Sequence, residues 1–124
     1  MPISIYLDPP VLTGTPSADE YVNLQAILRL SCVATGNDIP SITWYKDGVV
    51  VTQDATHTIT DTQQLPDQIT STLKVNPVSM ATEGVYNCSA SNSLGDDSFV
   101  TNVHVLCKFF VLFKKNHCET LRDC

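Results

Sequence analysis

The sequence predicts an all-β fold, an antiparallel sandwich of two sheets built as one domain. Three observations carry the prediction. Apolar residues recur at every second position in one segment after another, turn-forming residues punctuate the chain about every 8 to 12 residues, and no stretch shows the period of a long amphipathic helix. A length of 124 residues suits a single core, and 43% hydrophobic with 16% charged residues is the composition of a chain that folds.

Taken in order, "ISIYLDPPVLTG" reads as an extended edge strand interrupted at Pro9-Pro10, where two missing N–H groups preclude a central ladder position. In "AILRLSCVA", Leu28, Leu30, Cys32 and Ala34 share one face, with Arg29 and Ser31 on the other. "TGND" with Pro40 marks a turn, after which Ile42 and Trp44 in "SITWYKDG" point the same way. Asp47-Gly48 tolerates the positive φ of a tight hairpin, so "VVVT" reads as the returning strand. "ITSTLKV" aligns Ile69, Leu73 and Val75 after the turn "QQLPDQ". "PVSMATEG" offers at most one helical turn, opened by Pro77 and closed by Gly84. "GVYNCSA" aligns Tyr86, Cys88 and Ala90, "NSLGDD" turns the chain, and "SFVTNVHVL" aligns Phe99, Val103 and Val105.

Charge narrows the function. Through Leu106 there are three basic residues (Arg29, Lys46, Lys74) against eleven acidic ones, a balance of −8; from Cys107 onward four basic stand against two acidic, a balance of +2. Three scattered cations give no continuous positive surface for phosphates, so nucleic-acid binding is not expected. The start "MPISIYLDPP" lacks the basic and apolar regions of a signal peptide, and the run "VHVLCKFFVLF" is too short and too broken by Lys108 to cross a bilayer.

Cys32 and Cys88 both fall on inward faces, as buried thiols or as a bridge between sheets. Read with Trp44 in "WYKDG" and with "LKVNPVSMATEGVYNCSASNSLG", they complete a Cys, Trp, Tyr, Cys frame. In this frame the sequence resembles the immunoglobulin superfamily, most closely the intermediate-set domains of adhesion molecules, receptors and muscle filament proteins. Leu73, Val75, Val78, Gly84, Tyr86, Cys88, Ala90, Asn92 and Gly95 all fall where the family's pattern puts them, and the likeness covers about residues 3–105. The resemblance implies an immunoglobulin-like Greek-key sandwich over residues 1–106. It also implies a Cys32–Cys88 disulfide between the B and F strands, Trp44 packed against it, and Tyr86 as a corner hydrogen-bonded near the turn before its strand. Leu30 and Leu73 complete the expected core. In the loop-entropy model a bridge of this span removes roughly 4 kcal/mol of unfolded-chain freedom.

One position departs from the family, which usually carries an aspartate two residues before Gly84, paired with a basic residue. This chain has Thr82 there and only His57 near the partner position, so the ion pair is expected to be absent and the Thr82 hydroxyl to cap the turn.

Asn87 opens an Asn-Cys-Ser sequon. It reads either as a glycosylation site or as an outward polar residue, the second being preferred because strand sequons are less accessible. Cys107, His117, Cys118 and Cys124 have spacings that match no zinc finger, and Asp96-Asp97 point to opposite sides of an extended segment, so no metal is expected. No nucleophile elbow, zinc-protease motif or phosphate loop is present, and neither catalysis, a cofactor nor a small-molecule substrate is expected. Residues 107–124, "CKFFVLFKKNHCETLRDC", are expected to lie outside the fold. They read as a natural extension with one bridged pair and a free thiol or, preferably, as the end of a truncated or mis-joined product.

The resemblance implies protein–protein recognition, homophilic or heterophilic, by one module of a longer extracellular or cell-surface adhesion or receptor-type protein with neighbouring domains. The alternative is an intracellular structural domain of a muscle filament or cytoskeletal protein with Cys32 and Cys88 reduced. Candidate surfaces are the edge at residues 49–52 (Val49, Val50, Val51) and the hairpin at residues 93–97 (Leu94, Gly95, Asp96).

Overall fold

The structure, a computed structural model, describes residues 7–106; the expectations for residues 1–6 and for the cysteine-containing segment 107–124 lie outside them. Nine strands occur among the described residues: β1 (Asp8–Gly14), β2 (Asp19–Asn23), β3 (Leu28–Asn37), β4 (Ser41–Lys46), β5 (Val49–Val50), β6 (His57–Gln64), β7 (Gln68–Val75), β8 (Gly84–Asn92) and β9 (Gly95–Leu106). A 3-10 turn, Met80–Thr82, precedes β8. The strands form a four-stranded sheet in the order β1-β3-β7-β6 and a five-stranded sheet in the order β2-β9-β8-β4-β5, packed face to face.

The alternation read from the sequence is the alternation of burial. Along β3 the inward residues Leu28, Leu30, Cys32 and Ala34 are buried, as are Ile42 and Trp44 on β4, Ile69, Leu73 and Val75 on β7, and Tyr86, Cys88 and Ala90 on β8. These side chains, with Val22, Val78, Val103 and Val105, form one core between the sheets. A one-residue slip of any inner strand would turn its apolar set to solvent, which fixes the register.

Two features differ from the expectation. Among the described residues all strand pairs are antiparallel except β2 with β9, which run parallel from Asp19↔Asn102 to Asn23↔Leu106. Between β1 and β2 the chain leaves the first sheet and joins the edge of the second without reversing direction. The prolines also do not interrupt β1: the strand runs through Pro9-Pro10, which lie within a register shift between Asp8 and Val11. At the outer edge of the sheet, and at an irregularity, the missing N–H groups are tolerated.

Candidate functional site

The scaffold beneath the site is the frame around Cys32 and Cys88. Their disulfide joins β3 to β8 across the core, closing a separation of 56 residues. Trp44, almost fully buried, donates its indole N–H to Ser71 Oγ at 2.9 Å, which ties β4 to β7 of the opposite sheet. Ser71, itself fully buried, is an inward polar position whose use is explained only by that partner. Leu30 and Leu73 are likewise buried.

The approach to β8 is fixed by Tyr86. Its hydroxyl donates to the Thr82 carbonyl at 2.6 Å, and burial, with Asp47 nearby as a lesser cause, pushes its phenol far above the ordinary value. Thr82 is buried, and its Oγ1 accepts the Ser79 N–H at 3.0 Å, so the hydroxyl closes the 3-10 turn from within. His57 pairs instead with Asp54, Nδ1 to Oδ1 at 2.9 Å. The His57 side chain and the Thr56 and His57 N–H groups hold the Asp54 carboxyl well below the usual range.

At the β4–β5 hairpin, Asp47 (φ 50°) and Gly48 (φ 84°) adopt the positive φ values read from the Asp-Gly pair. The Asp47 carboxylate accepts the Lys46 ammonium and the Val85 N–H, both at 2.9 Å, latching the hairpin to the start of β8. These contacts lower its pKa, the Lys46 hydrogen bond most.

On this frame the outer face of the five-stranded sheet is assembled by register. Tyr45 lies opposite both Val50 and Asn87, and Asn87 opposite Val100. A row Val50–Tyr45–Asn87–Val100 therefore crosses four adjacent strands, about 14 Å at the usual strand spacing. The next row toward the β8–β9 hairpin is Thr43–Ser89–Ser98, and on the other side Val85 stands opposite Asn102. Val50, Val85 and Val100 are 50%, 43% and 47% exposed, although outward positions of such a sheet are ordinarily polar. None of these positions carries a charge; Asp19, Asp47 and Asp96 stand around them. Asn87 is half-buried, and its Oδ1 is enclosed with no hydrogen-bond partner among the described residues.

The candidate surfaces from the sequence fall at two margins of this face. Val50 belongs to the row, and Asp96, opposite Ser91, lies on the same face two rows beyond Asn87. Val49 is 69% exposed at the hairpin, but pairs with Lys46 and so faces the other way. Val51 corrects the expectation of an open edge: it packs against the core and donates its N–H to the Trp44 carbonyl at 2.9 Å. Leu94 and Gly95 are exposed at a hairpin held by the Leu94 N–H to Asn92 Oδ1 and by Ser93 to Asp38. Tyr45, Val85 and Val100, the middle of the face, were not singled out in the sequence. The available signal was an apolar residue at outward parity on strands whose other parity was already assigned to the core.

Among the described residues no cluster of His, Cys, Asp and Glu has the placement to hold a metal ion, and no helix is long and apolar enough to cross a membrane.

A family model described as "Immunoglobulin domain" matches residues 9–92. Hemicentin-1 of Mus musculus is 30% identical over 105 residues, 83% of this chain and 2% of its own length. Roundabout homolog 1 of Rattus norvegicus is 33% identical over 98 residues, 78% of this chain and 5% of its own. Titin homolog of Caenorhabditis elegans is 37% identical over 93 residues, 74% of this chain. The chain thus spans a very small part of these relatives. Among solved structures, titin domain M7 superposes with a TM-score of 0.73 at 22% identity, covering 82% of this chain and 98% of that one, a likeness of fold.

Proposed function

The chain belongs to the immunoglobulin domain family, and on that premise we propose that it is a protein-recognition module of an extracellular or cell-surface chain, working by binding rather than by catalysis. The observation that carries this reading is the uncharged outer face, with Val50, Val85, Val100 and Tyr45 grouped on an otherwise acidic body. Grouped outward apolar side chains on a sheet lose hydration free energy until something covers them. The bridge between Cys32 and Cys88 supports an oxidising compartment.

The test is binding of the multimerised domain to cells and secreted proteins of its source tissue, compared with Val100→Glu and Tyr45→Ala. Loss of binding in both, with Leu65→Ser in the β6–β7 turn unaffected, is the expected result. Binding that neither face variant alters refutes the assignment.

The likeness to the titin homolog favours one second reading, an intracellular structural domain. Thiol counting on protein from its native compartment separates the two: no core thiol on unfolding supports the first reading, two support the second.

A further inference from the structure

We propose that Asn87 is an acceptor of N-linked oligosaccharide, and that its sugar lies over Tyr45, Val85 and Val100 and closes the uncharged outer face of the five-stranded sheet. The closure rests on the recognition reading and adds its regulation; the attachment is tested apart from it. Three observations meet at this residue. The sequon is complete, since Asn87 is followed by Cys88 and Ser89 with no proline between. Asn87 points outward at the same parity as Val85 and Ser89, while Tyr86 and Cys88 are buried. Its amide is set with the oxygen inward. Oδ1 is enclosed, whereas Nδ2, the atom that takes sugar, is neither enclosed nor hydrogen-bonded among the described residues.

A strand position limits access to the folded domain, but the transfer is made to an extended chain before the strand forms. Nδ2 attacks C1 of the first sugar of a polyprenyl-diphosphate-linked oligosaccharide. The C1–N bond forms as the C1–O bond to phosphate breaks, the polyprenyl diphosphate leaves, and the amide nitrogen gives up one proton. The fold has only to leave room for the product. An outward Nδ2 on the open face of a sheet leaves it.

The surroundings say where that product rests. Asn87 lies between Tyr45 on β4 and Val100 on β9, with Val85 two residues before it on the same face. The rows Val50–Tyr45–Asn87–Val100 and Thr43–Ser89–Ser98 contain no ionisable carboxylate or ammonium. One side of an N-acetylhexosamine ring presents C–H groups, and laying it on Tyr45, Val85 and Val100 takes apolar surface out of water. β8 is the middle strand of the five-stranded sheet, so the sugar is rooted near the centre of the face. A bulky hydrated chain there holds a protein partner off. The face is closed in molecules that carry the sugar and open in those that do not.

The test begins with the full chain secreted from animal cells behind a cleaved leader. Mass spectrometry should find the mass of an N-glycan on the peptide containing Asn87, lost in Ser89→Ala and kept in Ser89→Thr, which retains the sequon. Ser89→Ala should bind cells about tenfold or more tighter than the glycosylated parent and Ser89→Thr. The glycosylated parent should melt above Ser89→Ala, and the excess should fall when both carry Tyr45→Ala. Should Ser89→Ala not be secreted, the parent made with an inhibitor of lipid-linked sugar synthesis takes its place. An unmodified Asn87 in the secreted chain overturns the proposal and leaves the recognition reading intact. Sugar on Asn87 with equal cell binding by Ser89→Ala, or a melting excess that Tyr45→Ala leaves unchanged, overturns the closure. Sugar on Asn87 with cell binding in neither form overturns the recognition reading and the closure with it, and supports the attachment.

Discussion

Replacing Tyr86 by Phe removes one oxygen and leaves the ring in place. In the parent that oxygen donates to the Thr82 carbonyl at 2.6 Å, inside a residue with no exposed surface. Without it the carbonyl stays in the protein and loses its donor, which costs about 1–3 kcal/mol. For a domain of about 100 residues each kcal/mol lowers the melting temperature by ~4–8 °C, so the variant should melt well below the parent. The effect should also depend on pH. The Tyr86 phenol is raised above its ordinary value of 10.0 in the folded state, so the folded chain keeps a proton that the unfolded chain releases. The stabilisation is complete below pH about 10 and is lost progressively as pH rises beyond it. Tyr86→Phe carries no such group, so the stability gap between variant and parent should narrow on the alkaline side. The assay is urea unfolding followed by Trp44 fluorescence at neutral pH and above pH 10. A variant within about 0.5 kcal/mol of the parent at neutral pH, or a gap unchanged on the alkaline side, would refute the reasoning.

Ser71→Ala leaves the buried Trp44 indole N–H without its acceptor and should destabilise by about 1–3 kcal/mol in the same titration, with Ser71→Thr a control for the hydroxyl. Thr82→Ala removes the acceptor of the Ser79 N–H and should cost about 0.5–2 kcal/mol; an unaltered midpoint would deny the hydroxyl its capping role. The Asp54 carboxyl is depressed below its ordinary 3.8, so its contribution is present above that pH and is lost as pH falls through the folded value. Asp54→Asn should therefore remove part of the parent's acid sensitivity below pH about 4, read from midpoints measured between pH 2 and 7.

How much of this was legible in the sequence follows from where the determining interactions lie. The inner strands were legible because alternate positions on β3, β7 and β8 face a closed core, and a polar residue there costs too much to be common. Cys32, Trp44, Tyr86 and Cys88 stood out because a bridge, an indole and a phenol each require particular neighbours. β2 was not legible: in "DEYVN" only Val22 is buried, so there is no alternation, and its parallel pairing with β9 is decided some eighty residues away. β6 shows the same weakness, since as an edge strand it is mostly exposed and its residues face no consistent environment. The uncharged outer face was half legible. Val50 was found through its turn, but the row through Tyr45 and Val100 exists only once four strands are in register, and the unpaired Asn87 oxygen only once its neighbours are packed.

The parallel run of β2 beside β9 has a mechanical consequence. β2 belongs to the amino-terminal part of the chain and β9 ends the described residues, so a pull on the two ends drags these neighbours in opposite senses along their common axis. The bonds between Asp19–Asn23 and residues 102–106 then lie across the load and share it, whereas an antiparallel hairpin pulled from its open end parts one rung at a time. Pulled at its two ends, the sandwich loads those five residue pairs in shear, together rather than in succession.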